Sequence, residues 1–265
     1  MLSVALYIVS LGIIFILGTL LFFIAQWKKD NSIIDICYGL FFIITAWTLA
    51  YLKLRIAPLS LSTLIILILI TIWGIRLSMR IYKKNSGKSE DFRYKAWRDT
   101  WMKKGKVYYY LRTYFQIFIL QGIVVSIVLL PFTVSLGIQS NPTLSMFIGI
   151  LIWCIGFYFE SVGDKQLDHF IKSKSEHKGT IMKTGLWKYT RHPNYFGEAT
   201  MWTGLALIAL FSGSFWYVSL SPILITYLLL FVSGIPMLEK KWKGNEDWEV
   251  YKKKTSAFIP LPPKE

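Results

Sequence analysis

Histidine and cysteine are scarce in this chain: three of the first and two of the second in 265 residues. Cys37 and Cys154 both fall inside apolar runs, which argues against a disulfide framework or a zinc site. His169 and His177 stand eight residues apart, no His-x-x-x-His pair occurs, and the acidic spacing of a calcium loop is missing. No metal site is therefore expected. Negative charge is short as well, with 15 Asp and Glu against 30 Lys and Arg. Neither an internal repeat nor a low-complexity linker divides the chain, so a single domain covering 1–265 is expected.

What is present is apolar surface. Hydrophobic residues make up 54% of the chain and charged residues 17%, with a mean hydropathy of +0.46, which excludes an ordinary soluble domain. Runs of about 20 residues, enough to cross roughly 30 Å of hydrocarbon, recur near 3–25, 33–52, 60–81, 114–133, 143–162, 196–212 and 215–236. The pattern predicts an all-α polytopic bundle of about seven transmembrane helices. The first run has no basic residue before it and no small-residue cleavage site, so it is read as a retained span rather than a signal peptide.

Positive charge is distributed unevenly. Of the 30 Lys and Arg, 28 fall on one face of the expected bundle and only Lys53 and Arg55 on the other. The positive-inside rule makes the 28-residue face cytoplasmic, with the N-terminus outside and the C-terminus inside. Such a face meets membrane lipid headgroups or an anionic soluble ligand, and the placement excludes nucleic acid. Residues 80–115 mix charge with Tyr94, Trp97, Trp101 and Tyr108 to Tyr110, as an interfacial collar would. Segment 164–193 and the tail from 238 complete the polar face; Asp247, Glu249, Tyr251 and three following lysines read as a short helix that ends before Pro260.

Ionisable residues inside or against the apolar runs gather at one depth. Asp35 opens the second run, Arg76 and Arg80 end the third, Glu160 and Asp164 end the fifth, Glu198 opens the sixth and Glu239 ends the seventh. A shared polar cavity explains this alignment; charges at helix ends snorkelling to water explain it too, Glu239 above all.

The stretch "TRHPNYFGE" (190–198) carries the most chemistry. Pro193 suits the first turn of a helix. From there Arg191, Asn194, Tyr195, Glu198 and Trp202 follow helical spacing onto one face. A helix N-terminus, an Arg fork and an Asn amide together suit a phosphate or another anionic group, with Glu198 accepting from a ribose, an amide or Arg191 itself. The alternative is a capped helix with an Arg at the headgroups. Glu160, Asp164 and Asp168 form a second stripe, with Gln166, His169 and Lys172 on neighbouring positions. Like charges at this spacing repel unless donors or cations answer them.

"GLWKYTRHPNYFGEATMWTGLAL" (185–207), with "FESVGDKQLDHFIKSK" (159–174) before it and "EKKW" and "WEVYKKKTSAFIP" (239–260) after it, resembles the C-terminal half of the steroid 5-alpha-reductase-like superfamily. "DICYGLFF" (35–42) and "RLSMRIYKKNSGKSEDFRYKAWR" (76–98) look like its bacterial integral-membrane branch, which implies the bacterial inner membrane. The Arg-His-Pro-x-Tyr-x-Gly core is shared with sterol C14-reductases and with isoprenylcysteine carboxyl methyltransferases, whose cofactor is S-adenosylmethionine. The reductase resemblance implies NADPH held by the C-terminal part, 143–265, and a hydrophobic small-molecule substrate entering from the bilayer, with 33–113 supplying two spans and a cytoplasmic loop. By that resemblance Glu160, Asp164, Lys172, Arg191, Asn194, Tyr195, Glu198, Tyr251 and Arg80 are cofactor residues.

One departure stands out. Animal 5-alpha reductases share a Gln-Glu pair on the second helix and a Tyr three residues before the Arg of the third; here "YLKLR" has no such pair and the latter position is Leu77. Tyr38 with Asp35, one turn apart, is the local substitute for the acid, and Tyr82 a further choice. The reading is a reductase of a carbon–carbon double bond, with an S-adenosylmethionine-dependent methyltransferase and a non-catalytic lipid-binding protein as the competing classes. No small-xxx-small pattern among the runs indicates an oligomer.

Overall fold

The computed structural model describes residues 2–138, 144–173 and 181–264. His177, with the rest of 174–180, and residues 139–143 lie outside the described residues. Twelve α-helices are described: α1 (Leu2–Lys28), α2 (Ile33–Leu54), α3 (Leu61–Asn85), α4 (Phe92–Met102), α5 (Lys106–Thr113), α6 (Leu120–Val128), α7 (Leu130–Ser135), α8 (Leu144–Lys172), α9 (Pro193–Phe211), α10 (Leu220–Tyr227), α11 (Ile235–Lys240) and α12 (Glu246–Lys254). Among the described residues there is no strand, only an isolated bridge between Thr190 and Ser256.

Among the described residues six stretches are long and apolar enough to cross a membrane: Val4–Lys28, Ile33–Leu54, Leu61–Asn85, Lys106–Val128, Met146–Lys172 and Trp216–Lys240. The chain is thus an all-α, multi-pass membrane protein. The sixth apolar run of the sequence is α9, which is 19 residues long. Its first two turns carry Asn194 and Glu198, and that polarity separates it from the other six.

Two compact units divide the chain, Met1–Pro142 with Ser212–Val218, and Thr143–Phe211 with Ser219–Glu265. In the first, α2 and α3 cross where Gly39 meets Gly74; a Cβ on Gly39 would meet the Gly74 carbonyl oxygen. The basic segment after α3 folds into α4 and α5. Tyr94 and Trp101 turn inward, 5% and 6% exposed, so these aromatics build packing rather than anchor in headgroups. Trp97 stacks on Trp101 at 5.8 Å.

In the second unit α8 and α9 lie against each other along a glycine seam. Gly149 faces Gly204, Gly156 faces Gly197, and Gly163 faces Pro193. A Cβ on Gly156 would stand 2.6 Å from the Gly197 carbonyl oxygen. The period along α8 is seven residues rather than four, two helical turns, and this keeps one face toward its antiparallel neighbour. The last span is broken in the middle. Residues Leu228–Val232 form a π turn, Ser233 N donates to Leu228 O at 2.8 Å, and a Cβ on Gly234 would run into Leu229 O. The chain leaves this kink as α11 with Pro236 in its first turn. α12 follows: the Asn245 side chain caps it, Glu246, Asp247 and Glu249 fill its first turn, and Lys252 to Lys254 its last. That arrangement complements the helix dipole.

Candidate functional site

The residues before α9 are fixed by the C-terminal segment. Arg191 N donates to Ser256 O at 2.9 Å and Leu261 N to Tyr189 O at 3.0 Å. Thr190 Oγ1 donates to Phe258 O at 2.9 Å, and the Phe258 ring meets Phe196 at 5.9 Å. Backbone groups at the mouth of a helix need partners outside it, and residues 255–261 supply them here.

Arg191 is 7% exposed and lies two residues before α9, so helical spacing does not govern its direction. Its Nε and Nη2 donate to Glu239 Oε1 at 2.9 and 2.8 Å. Its Nη1 donates to the carbonyls of Lys252, at 3.2 Å, and Thr255. The same Glu239 oxygen lies 3.2 Å from His192 Nε2, and Glu239 Oε2 lies 3.5 Å from Lys252 Nζ. The broken last span is what delivers Glu239, 48 positions away, to this point. The imidazole is buried, which pushes its pKa below the usual histidine value despite Glu239, and Arg191 adds to the fall. The ring is then neutral at pH 7, with Nε2–H donating to Glu239. It stacks on Tyr195 at 5.4 Å.

A second layer joins α12 to α8. The Tyr251 hydroxyl donates to Trp187 O, Trp187 Nε1 donates to Gly163 O at 3.0 Å, and Leu186 N donates to Gln166 Oε1 at 3.0 Å. Burial pushes the Tyr251 hydroxyl well above its usual pKa, so it stays a donor.

The seam carries carboxylates inward. Glu160 and Asp164 are each 3% exposed. Glu160 N is the atom nearest a Cβ built on Gly197, and Asn194 N lies 3.4 Å from one built on Gly163, so the two acids flank the first turn of α9. There the Asn194 Oδ1 atom is buried and has no hydrogen-bond partner among the described residues. Glu198, one turn on, is half-buried, Trp202 is buried, and Lys172 at the end of α8 is exposed. Glu160, Asp164, Asn194, Tyr195 and Glu198 therefore share one helix pair, while Arg191 and Tyr251 serve the frame beneath it.

In the first unit Asp35 and Tyr38 stand one turn apart on α2 as expected. Asp35 Oδ2 accepts from Arg93 Nη2 at 2.9 Å, and Oδ1 accepts from the Tyr94 hydroxyl at 2.6 Å. Burial, with the negative Asp35 beside it, pushes the Tyr94 pKa up and keeps that proton in place. Burial alone would raise the Asp91 carboxyl, but hydrogen bonds from Arg93 hold it below its usual value. Tyr38 is half-buried, edge-on to Phe42 at 5.2 Å. Arg80 is half-buried on α3.

Sequence reasoning missed Arg93 and Tyr94 as partners of Asp35 and treated Glu239 as a helix-end charge. Contacts across 58 and 59 positions leave no local periodicity. The only hint at Glu239 is an acid placed where a span ends and lysines begin.

Two Schizosaccharomyces pombe proteins are similar to this chain. Uncharacterized protein C594.04c is 25% identical over 225 residues, which is 76% of this chain and 64% of that protein. Uncharacterized protein C7D4.09c is 33% identical over 71 residues, 27% of this chain and 25% of that protein. The chain thus spans less than two thirds of the length of either relative. No solved structure matches it. The family model described as protein of unknown function (DUF1295) matches residues 21–255, nearly the whole of both units. The chain belongs to the DUF1295 family.

Proposed function

We propose that this chain is a membrane-embedded, NADPH-dependent reductase of a carbon–carbon double bond conjugated to a carbonyl, in a lipid or steroid-like substrate. The observation that carries the reading is the buried acceptor Asn194 Oδ1 in the first turn of α9, a helix whose backbone packs on α8 where the buried Glu160 and Asp164 lie. A buried acceptor without a donor costs about 1–3 kcal/mol. Ribose hydroxyls and a carboxamide are donors of the required kind.

Glu160, Asp164, Asn194 and Glu198 would hold those groups, with Tyr195 alongside. Arg191 is already committed to Glu239 and two carbonyls, so it organises the site and leaves a ligand's phosphates to α9's N-terminal N–H groups and to exposed lysines such as Lys172. When bound, the reduced nicotinamide supplies a hydride to the β-carbon. Tyr38 is the candidate for the donor toward a developing enolate, with Asp35, itself held by Arg93 and Tyr94, one turn before it. If Tyr38→Phe leaves turnover of an established substrate unchanged, that assignment falls. The resemblance of 159–174 and 185–207 to the steroid 5-alpha-reductase-like superfamily supports the reading, and the 28 cationic residues on one face support a cytoplasmic cofactor side with the N-terminus outside.

The test is thermal stabilisation of detergent-purified protein by NADPH, NADP and S-adenosylmethionine in parallel. A ligand at a hundred times its Kd adds about 2.7 kcal/mol to stability. A rise with NADPH that Asn194→Ala and Glu198→Ala abolish is the expected result. A rise with S-adenosylmethionine alone would move the protein to the methyltransferases. No rise with any of them would favour a non-catalytic lipid-binding protein.

A further inference from the structure

We propose that the groove between α11 and α12 binds the phosphate headgroup of an anionic phospholipid. The groove holds about 390 Å³ and is lined by Lys240, Lys243 and Lys252, with Trp248, Glu239 and Glu249. That volume is many times the roughly 30 Å³ of one water, and suits a glycerophosphate.

Three lysines from different segments line it: Lys240 at the end of α11, Lys243 in the following turn, and Lys252 on α12. Like charges drawn into one groove repel, and an anion among them removes that cost. Glu239 does not fill this role. Its Oε1 is taken by Arg191 and His192 at 2.8 to 3.2 Å, while its Oε2 reaches Lys252 Nζ only at 3.5 Å. Glu249 remains as one carboxylate against three lysines, so the groove is left positive. Lys252 is 47% exposed, and its remaining N–H donors are free to turn toward a ligand.

Position favours a lipid over a soluble anion. α11 is the last part of the apolar stretch Trp216–Lys240, so the groove opens where a span gives way to polar chain. Met237 and Leu238, beside it on α11, are 39% and 48% exposed, an apolar surface for the acyl chains of a lipid whose phosphate lies among the lysines. Trp248 forms a flat wall, braced by Trp242 stacked on it at 5.9 Å. The site needs no nucleotide and stands apart from the reductase reading.

The experiment uses the full chain in a neutral detergent without nucleotide. Melting temperature is followed against dioctanoyl phosphatidic acid, dioctanoyl phosphatidylcholine and inorganic phosphate. The expected result is a saturable rise with phosphatidic acid only, weakened about ten-fold or more in apparent affinity by the exposed pair K243Q/K252Q. Lys88→Gln, a loop charge in the other unit, should leave the affinity unchanged. An equal rise with inorganic phosphate would overturn the lipid assignment in favour of a free phosphate. A rise that phosphatidylcholine matches, or that Lys88→Gln weakens as much as the pair does, would overturn the groove altogether. Melting of each unliganded variant at the wild-type temperature shows that it folds.

Discussion

Removing the Glu239 carboxylate should destabilise the second unit by about 3 kcal/mol, the lower end of the 3–5 kcal/mol for breaking a buried ion pair. Burial decides the regime. The side chains of Arg191 and Glu239 are 7% and 11% exposed, whereas an exposed pair would be worth about 0–1 kcal/mol. Glu239→Ala leaves the guanidinium without its carboxylate at 2.8 Å, and His192 loses an acceptor at 3.2 Å. The carbonyls of Lys252 and Thr255 still receive Arg191 Nη1, which keeps the loss toward the lower bound. At roughly 2–4 °C per kcal/mol for a chain near this size, the melting temperature should fall by about 6–12 °C. Glu239→Gln retains an acceptor and should lose about half as much, because a charge-assisted hydrogen bond is roughly twice as strong as a neutral one. Tryptophan fluorescence suits the assay, since Trp248 lies 5.9 Å from the Arg191 guanidinium. A double-mutant cycle with Arg191→Met should return a coupling of about 1 kcal/mol or more. A Glu239→Ala protein melting within about 2 °C of wild type, or a cycle that is additive, would refute the idea that this pair holds the motif in place.

His192 gives the pH dependence. Its folded pKa lies below the ordinary 6.5, so the unfolded chain binds the extra proton first. Stability is then fully present above about pH 6.5 and falls as pH drops toward the folded pKa, by at most about 1.4 kcal/mol per pH unit; His192→Gln should flatten that part of the melting profile between pH 7 and 5. Gly156→Ala places a Cβ 2.6 Å from both Gly197 O and Met201 N, backbone atoms that cannot swing aside. It should cost about 1–3 kcal/mol or more, whereas Gly12→Ala, with nothing within 4 Å, should be neutral or stabilise by up to about 1 kcal/mol; parallel detergent melts compare them, and equal losses would sink the seam. Tyr251→Phe leaves the buried Trp187 carbonyl without its hydroxyl donor. A loss of about 1–3 kcal/mol is expected, together with faster proteolysis at residues 255–264; unchanged digestion would remove Tyr251 from the frame.

Much of the fold was legible in the sequence because hydrocarbon allows little else. Continuous apolar runs must satisfy their backbone internally, and helices do so segment by segment. Pro193 marked the start of α9, and the acid-to-base order from Glu246 to Lys254 marked α12. The glycine seam was present too, but its seven-residue period is not the four-residue pattern associated with close-packed membrane helices. At the candidate site, helical spacing grouped Glu160 with Asp164 and Asn194 with Glu198, and the packing of α8 on α9 joined the two groups. Arg191 was read toward a ligand because helical spacing was extended to a residue that lies outside the helix.

From sequence alone came the all-α membrane class, the segments that carry polar chemistry and the one-sided charge, since each depends on composition or on neighbours within two turns. Only the tertiary structure decided which charges meet: Glu239 with Arg191, His192 and Lys252, and Asp35 with Arg93 and Tyr94. For Glu239 the reason is a π turn and a glycine at 228–234 that redirect one helix, and a tail that folds back on residues 189–191. A buried charge takes whichever partner the backbone brings within about 3 Å, and for Glu239 that partner is 48 positions away.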